Sequence, residues 1–199
     1  MRGFVYIAYG DTARQECAMS IASLRNFHHE PIAVIGDGVV AGARLIPAAS
    51  QDKVARSVKV RLDQLSPFDE TIYLDADTRV RGDLSFMFNA LDDGFDLVIA
   101  PSSMQADRAL WHVDTDERET TFDEMGFTPV QYQAGVLAFK RSAAPFFAAW
   151  REEWARFGGQ DQAAFLRALQ RVPVKLHIVG QAYNGGALVA HLHGRMPRG

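Results

Sequence analysis

Two patterns of apolar residues alternate along this chain, one with helical spacing and one of short continuous runs. Segments with apolar side chains at intervals of three or four residues, typical of helices, lie at residues 12–27 and 53–65. The alternation predicts an α/β domain whose mainly parallel central sheet is covered by helices on both faces. Short apolar runs, typical of strands buried in such a sheet, occupy residues 4–8, 31–35, 71–74 and 95–100.

The second half of the chain continues this alternation after one interruption. Residues 102–130 have no clear period and many charges, which predicts either a loop that covers the substrate or a mobile surface insertion. The remaining predicted elements are a strand at residues 133–139, a helix at 143–157, a helix that opens at Asp161, and late strands at 174–179 and 187–191. In the first of these helices Trp150 and Trp154 lie one turn apart and are expected in the core.

Composition narrows the class of protein. A chain of 199 residues is long enough for one domain with a sizeable core, and 48% hydrophobic and 23% charged residues are ordinary for a globular protein. The net charge of −3 gives no overall basic field for nucleic acid or an anionic membrane. The single cysteine, Cys17, excludes an intrachain disulfide and is expected in the core. We expect a cytoplasmic protein without a membrane span.

The strand at residues 71–74 ends in two carboxylates, Asp75 and Asp77, separated only by Ala76. Alternate side chains of a strand share a face, so the two can converge at the carboxyl edge of the sheet, where ligands bind in folds of this class. Such close carboxylates repel unless a cation lies between them. Mg²⁺ or Mn²⁺, which bind carboxylates together with substrate phosphates, are the expected ions, and a solvated acidic turn is the alternative.

Several motifs in a fixed order resemble the retaining glycosyltransferases of family 8, which include glycogenin and bacterial lipopolysaccharide galactosyltransferases. The resemblance covers most of the chain, and no single motif is specific alone. The motifs are an Asp-x-Asp at a strand end (Asp75-Ala76-Asp77), a basic residue in the preceding helix (Lys59), a small-residue strand of the sugar pocket (Gln133-Ala134-Gly135), an Asp-Gln pair at a helix start (Asp161-Gln162), and a His-x-x-Gly near the C-terminus (His191 to Gly194).

This resemblance implies a GT-A fold, the nucleotide-diphospho-sugar transferase fold with a Rossmann-like sheet. It implies one glycosyltransferase domain over residues 1–199, with a nucleotide-sugar-binding half at about 1–100 and an acceptor and C-terminal half at about 101–199. The implied donor is a UDP-sugar, UDP-glucose or UDP-galactose, held through Mn²⁺ or Mg²⁺, and the hexose is transferred with retention. The acceptor stays open among saccharide, protein, lipid, small molecule and modified nucleic acid.

The resemblance also implies roles for individual residues. Asp75, Asp77 and His191 would hold the metal. Periodicity does not choose between His191 and His193, whereas the family spacing to Gly194 favours His191. Arg195 or Arg198 stands where the family has a lysine that grips the diphosphate. The expected donor contacts are Ala8, Tyr9, Lys59, Asp75, Ala76, Asp77, Ala134, Gly194 and Arg195.

The catalytic candidates are Asp161, Gln162 and Gln133. As the anomeric carbon gains oxocarbenium character, an amide or carboxylate beneath the sugar ring stabilises it. Asp161 could instead only cap its helix, because an Asp at this position can accept hydrogen bonds from free backbone N–H groups. Gln133 replaces the family's asparagine and reaches further, so the sequence does not determine which sugar hydroxyls it contacts.

Two other functions fit the acidic pair. In a haloacid-dehalogenase-type phosphatase Asp75 would be the nucleophile and Asp77 an acid/base, although that motif normally lies on the first strand of its domain. The other is a domain that binds a sugar nucleotide, or a protein partner, without turnover. It is supported by the segment Arg195-Met196-Pro197-Arg198, which replaces the family's Lys-Pro-Trp. The segment Tyr9-Gly10-Asp11 stands in place of the family's Thr-Asn, so the identity of the nucleotide base is not determined.

Overall fold

A seven-stranded sheet runs through the centre of the computed structural model, which describes residues 1–48 and 55–192. The strands are β1 (Arg2–Ala8), β2 (Ile32–Gly36), β3 (Arg44–Pro47), β4 (Glu70–Leu74), β5 (Thr78–Val80), β6 (Leu97–Pro101), β7 (Tyr132–Lys140), β8 (Leu176–Ile178) and β9 (Val189–His191). The helices are α1 (Gly10–Leu24), α2 (Ala55–Lys59), α3 (Leu62–Leu65), α4 (Ser85–Asp92), α5 (Thr115–Met125), α6 (Ala144–Ala155) and α7 (Asp161–Arg171).

The central sheet has the strand order β3-β2-β1-β4-β7-β6-β8. Strand β7 runs antiparallel to both of its neighbours, β4 and β6, and the other pairs are parallel. The predicted mainly parallel sheet is therefore confirmed. Because β7 is reversed, its first residues lie beside the end of β4, and Leu74 pairs with Val136.

Side chains alternate between two hydrophobic layers, one on each face of the sheet. Phe4 and Tyr6 of β1 pack towards α1 and α4, whereas Val5 and Ile7 pack towards α6 and α7. Both faces are thus covered, which explains why the strands are apolar throughout. As expected, Cys17 and Trp150 are buried, while Trp154 is partly buried against the second layer.

The single helix predicted at residues 53–65 is wrong within the described part of that range. The chain forms two short helices, α2 and α3, that are separated at residues 60 and 61. Val58, Val60 and Leu62 are all buried. One straight helix cannot turn positions two residues apart towards the same layer, so the break allows all three to be buried. Residues 53 and 54 lie outside the described residues.

The loop predicted at residues 102–130 is also partly wrong, because this segment contains a 3₁₀ turn at Ala106–Arg108 and the helix α5. The side chain of Asp114 caps α5 by accepting a hydrogen bond from the backbone of Asp116, and Gly126 ends it in the left-handed conformation, with φ of 70°. Its buried positions, Glu117 and Thr121, are polar. A helix that buries polar residues has no apolar period to reveal it in the sequence.

Three further elements, β3, α4 and β5, also have no counterpart in the sequence expectations. The short strand β5 directly follows the acidic pair and pairs with β9 in a separate two-stranded antiparallel sheet. In its register Thr78 lies opposite His191. This small sheet carries the C-terminal part of the described chain back to the end of β4. No helix of the described residues is long and apolar enough to cross a membrane.

Candidate metal and donor site

The end of β4 and the end of β9 bring two carboxylates and one imidazole together. Nε2 of His191 lies 3.5 Å from Oδ2 of Asp75 and 3.2 Å from Oδ1 of Asp77. The three potential ligand atoms lie within 4.8 Å of one another. Around an octahedral ion with ligands at about 2.1 Å, adjacent ligand atoms are about 3 Å apart, so this spacing fits a Mg²⁺- or Mn²⁺-sized cation.

Hydrogen bonds of the backbone hold these ligands in place. The amide and hydroxyl of Thr78 both donate to the carbonyl oxygen of Asp75, at 3.1 and 2.8 Å, and close a tight turn through the acidic pair. The amide of Asp75 donates to the carbonyl of Gly135 at 2.8 Å, and the amide of Leu192 donates to the carbonyl of Asp77 at 3.1 Å. The turn is thus tied to both β7 and the end of β9.

The two oxygens of Asp75 have different surroundings. Oδ1 accepts a hydrogen bond from the hydroxyl of Tyr73 and lies 2.9 Å from Nζ of Lys59, whereas Oδ2 faces His191. Burial, and then the charge of Asp75, raise the pKa of Tyr73 well above its ordinary value, so this phenol keeps its proton. Tyr73 and Lys59 therefore hold one oxygen of the carboxylate and orient the other towards the metal position.

The ring of His191 is oriented by Asn184, a buried residue that the sequence did not single out. The amide nitrogen of Asn184 donates to the carbonyl of Gln133 at 2.7 Å, so its amide oxygen faces Nδ1 of His191 at 2.8 Å. Nδ1 must then carry the proton, and Nε2 presents its lone pair to the carboxylates. The amide nitrogen of Gln133 lies further from Nδ1 of His191, at 3.3 Å. The shorter contact with Asn184 therefore decides which ring nitrogen carries the proton.

Gly135 allows the close packing between β7 and the metal position. A Cβ at this residue would lie 2.3 Å from Cε1 of His191 and 2.8 Å from Oδ2 of Asp75. Both distances are far shorter than a van der Waals contact. Any larger residue would displace one of the two ligands, so glycine is required here for its lack of a side chain.

Lys59 links the acidic pair to the start of α7. It is only 8% exposed, and its ammonium group lies 2.9 Å from Oδ1 of Asp75 and 3.6 Å from Oδ2 of Asp161. Burial acts to lower the pKa of Lys59, but the two carboxylates outweigh it and leave the pKa raised. Lys59 is thus a permanent positive charge within the cavity.

Asp161 does not cap its helix. It is the first residue of α7, and the N-cap is Gln160, which makes no side-chain capping bond. Asp161 is buried, and its Oδ2 has no hydrogen-bond partner among the described residues. Nζ of Lys59 lies 3.6 Å from Oδ2, which is an ion-pair distance longer than a hydrogen bond, so this oxygen can still accept a hydrogen bond. Asp161 thus forms an ion pair with Lys59 and does not occupy the N-cap position of α7.

A cavity of about 300 Å³ contains most of these side chains. Arg56, which the sequence did not single out, also reaches it, with Nε 4.0 Å from Oδ1 of Asp161. It lies one turn before Lys59, so helical spacing could have identified it. The residues that line the cavity are Arg56, Lys59, Asp75, Asp77, Gln133, Ala134, Gly135, Gln160, Asp161, Gln162 and His191.

Three predicted donor contacts within the described residues do not line this cavity. Ala8 is buried and Tyr9 partly buried, at the end of β1, and Ala76 packs against the hydrophobic layer that contains Phe4 and Tyr6. The hydroxyl of Tyr9 is buried and has no hydrogen-bond partner among residues 1–48 and 55–192. The predicted residues His193, Gly194, Arg195 and Arg198 lie outside the described residues.

Comparisons with known proteins concern the fold. No protein-family model and no curated protein matches this sequence. The apo structure of mouse xyloside xylosyltransferase 1 has a TM-score of 0.63 at 13% identity, over 99% of this chain and 100% of that one. The galactosyltransferase LgtC in complex with donor and acceptor sugar analogs has a TM-score of 0.59 at 14% identity, over 91% of this chain and 74% of that one.

A third similar structure is that of the glycosyltransferase GlyE from Streptococcus pneumoniae, with a TM-score of 0.59 at 16% identity. The match covers 91% of this chain and 45% of that one. At such identities the similarity establishes the fold. The chain has the GT-A-like fold of glycosyltransferase structures, as the sequence motifs predict.

Proposed function

We propose that this protein is a metal-dependent glycosyltransferase of the retaining family 8 type, which moves a hexose from UDP-glucose or UDP-galactose to an acceptor hydroxyl. The observation that carries the proposal is the cluster of Asp75, Asp77 and His191 at the carboxyl edge of the sheet in a GT-A-like fold. Ligands of open α/β sheets bind at that edge. The glycosyltransferase structures that share the fold support the same reaction class.

Asp75, Asp77 and His191 would hold Mn²⁺ or Mg²⁺. Two carboxylates and one neutral imidazole suit Mn²⁺ and leave further coordination positions for phosphate oxygens. A divalent cation supplies positive charge where the diphosphate becomes more negative as the sugar departs. Lys59 adds a second, fixed positive charge 2.9 Å from Asp75, and Arg56 lines the same cavity.

The hexose of the donor would lie between Gln133 and the start of α7. In the proposed reaction the bond from the anomeric carbon to the diphosphate oxygen breaks. The oxygen of an acceptor hydroxyl bonds to the same face of that carbon, and its proton leaves with the diphosphate or to solvent. Oδ2 of Asp161 makes no hydrogen bond within the described chain, and Nζ of Lys59 lies 3.6 Å from it, so it could accept a hydrogen bond from a sugar hydroxyl. Asp161 and Gln162 would then stabilise positive charge at the anomeric carbon.

In the same proposal the two halves of the chain have different roles. Residues 1–100 would supply most of the nucleotide contacts, with Ala8, Tyr9 and Ala76 beside the base and ribose. Residues 101–199 would supply the sugar and acceptor contacts, with Ala134 on β7 facing the donor. Gly194 and Arg195 would contact the diphosphate.

The phosphatase alternative gains no support from the site. Among the described residues, Asp75 follows the fourth strand rather than the first. One of its oxygens is already engaged by Lys59 and Tyr73, which hold the carboxylate against the wall of the cavity. A nucleophile of that class would have to reach a phosphorus atom directly.

The proposal is tested by incubating the protein with Mn²⁺ and a panel of nucleotide sugars and measuring release of the nucleoside diphosphate. We expect slow hydrolysis of UDP-glucose or UDP-galactose that EDTA abolishes. Hydrolysis of a generic phosphoester such as p-nitrophenyl phosphate would support the phosphatase instead. Tight, metal-dependent nucleotide binding with no turnover of any donor would identify a binding domain without catalysis.

A further inference from the structure

A second cavity lies directly beside the donor cavity and has a different chemistry. Its volume is about 280 Å³, close to the lower end of the range for small-molecule pockets, which is about 300 Å³. Gln133 and Gln162 line both cavities, so the two are adjacent at the position proposed for the donor hexose. The residues that line the second cavity are Ser102, Ser103, Met104, His112, Gln131, Gln133 and Gln162.

The polar side chains that line this second cavity are amides, hydroxyls and one imidazole. Among the described residues, none that lines it is Asp, Glu, Lys or Arg. The donor cavity, in contrast, is lined by two basic and three acidic residues. Amides and hydroxyls bind hydroxyl groups through paired donors and acceptors. An anionic ligand would lie there without a cation to compensate its desolvation. The lining therefore fits a neutral polyhydroxy compound and disfavours phosphate esters and acidic peptides.

Gln131 provides an unpartnered donor in this cavity. Its side chain is fully buried, and its Oε1 accepts a hydrogen bond from the backbone of Leu110 at 2.8 Å. Its Nε2 has no hydrogen-bond partner among the described residues. The backbone of Gln131 is fixed by Gln105 and Ser102, at 3.0 and 2.8 Å, and the bond from Leu110 holds the side-chain amide. A ligand oxygen in the cavity would satisfy this donor.

His112 lines the cavity, and Trp111 lies beside it through its contact with Met104. Nε2 of His112 contacts the amide oxygen of Gln162, and that oxygen can only accept, so the imidazole donates. Trp111 is 59% exposed, and its indole N–H points to the sulfur of Met104, which lines the cavity. An exposed indole ring next to a cavity of amides offers an apolar face on which a sugar ring can pack.

We propose that this second cavity is the acceptor subsite and that the acceptor is a neutral saccharide. The inference rests on the proposed glycosyl transfer, since it places the acceptor hydroxyl between Gln133 and Gln162, next to the donor hexose. Gln131 and Ser102 would recognise hydroxyl groups of the acceptor, and Trp111 would pack against one face of its ring. Among the acceptor classes that the sequence leaves open, the uncharged lining of this cavity selects the saccharide.

Saturation-transfer NMR on the full chain tests this subsite without turnover. The probes are methyl glycosides of neutral hexoses and neutral disaccharides such as lactose, compared with glucose 6-phosphate and an acidic peptide. We expect transfer to at least one neutral saccharide, and none to the two anionic probes. Exclusive binding of an anionic probe, or no binding of any neutral saccharide, would overturn the proposal.

Two variants locate the binding. Ser103→Phe fills the cavity from an exposed position, and Ala22→Phe adds the same ring to an exposed position of α1 as the control. Gln131→Glu keeps the oxygen that accepts from Leu110 and removes the amide donor. We expect Ser103→Phe and Gln131→Glu to weaken saccharide binding about tenfold or more and the control to leave it unchanged. Unchanged binding in Ser103→Phe, with a normal melting temperature, would overturn the location.

Two competition experiments separate this inference from the proposed function. UDP with Mn²⁺ should not displace the saccharide, because it occupies only the donor cavity. If a UDP-hexose displaces the saccharide while UDP does not, the second cavity holds the donor's sugar and the acceptor assignment is wrong. If UDP fails to bind with Mn²⁺ although the saccharide binds normally, the proposed function fails while the saccharide subsite remains.

Discussion

The amide oxygen of Asn184 lies 2.8 Å from Nδ1 of His191, and this contact decides which nitrogen of the ring faces Asp75 and Asp77. The amide is itself oriented by its hydrogen bond to the carbonyl of Gln133. A chain of two hydrogen bonds thus connects the backbone of β7 to the lone pair of a proposed metal ligand. Asn184 is a positioning residue, since it acts on the metal only through His191.

Asn184→Ala should weaken Mn²⁺ binding in the presence of UDP by about 10- to 100-fold, because the imidazole loses the partner that fixes its tautomer and orientation. Electron paramagnetic resonance of free Mn²⁺ during a titration measures this directly. Asn89→Ala, at an exposed position of α4, is the matched control. Wild-type Mn²⁺ affinity in Asn184→Ala would show that the ring needs no such support.

Gly135→Ala should abolish metal-dependent UDP binding, because the new Cβ would lie 2.3 Å from the ring of His191 and must displace it. Gly180→Ala is the control, since a Cβ there meets nothing within 4 Å and its φ is an ordinary −69°. Calorimetry of UDP with Mn²⁺ compares the two variants. Normal binding by Gly135→Ala would mean that the ligands do not approach β7 as closely as described.

Asp161→Asn separates the chemistry from nucleotide binding. If the carboxylate acts on the sugar, the substitution should slow donor turnover by about 30-fold, which corresponds to about 2 kcal/mol for a hydrogen bond to a charged group. UDP affinity should change little. Steady-state hydrolysis of the donor, measured beside UDP calorimetry, gives both quantities. A parallel loss of UDP affinity would instead place Asp161 at the nucleotide.

The charge of Lys59 should make stability depend on alkaline pH. Burial alone would lower its pKa, but Asp75 and Asp161 raise it above the ordinary value of 10.5. A raised pKa in the folded state contributes stability that is fully present below pH 10.5 and is lost as the pH rises through the folded pKa. Lys59→Met should therefore cost about 3–5 kcal/mol at pH 8, since it leaves the buried Asp161 and the partly buried Asp75 without their cation.

Urea unfolding in EDTA, at pH 8 and at a series of higher pH values, measures that effect. The difference between wild type and Lys59→Met should shrink as the pH rises above 10.5. Lys175→Met, at an exposed position, should cost little at any pH. A difference for Lys59→Met that does not depend on pH would mean that packing, rather than charge, holds Lys59 in place.

The acidic pair and its position could be predicted because alternate side chains at the end of a strand share one face of the sheet. An apolar strand that ends in Asp75 and Asp77 puts both at the carboxyl edge, whatever the details of the sheet. His191 came from the resemblance alone. It reaches the site only because β9 pairs with β5, a strand of three residues that no period in the sequence reveals.

Other features escaped prediction because tertiary contacts create them. Asn184 contacts His191 only after the 3₁₀ turn at Gln181–Tyr183 carries it to β7. The helix α5 is hidden because Glu117 faces the buried guanidinium of Arg167, at 3.0 Å, in place of an apolar layer. The second cavity depends on the same segment, so neither its shape nor its neutral lining could be read from residues 102–130.

The most direct test of the metal-dependent donor site is calorimetry of UDP binding with Mn²⁺ and with EDTA. The account predicts that wild type binds UDP only when Mn²⁺ is present, and that Asp77→Asn and His191→Ala lose this binding. Asp93→Asn, at an exposed position of the chain, and His193→Ala should keep it. Equal UDP affinity with and without metal, or wild-type affinity in Asp77→Asn, would contradict the account.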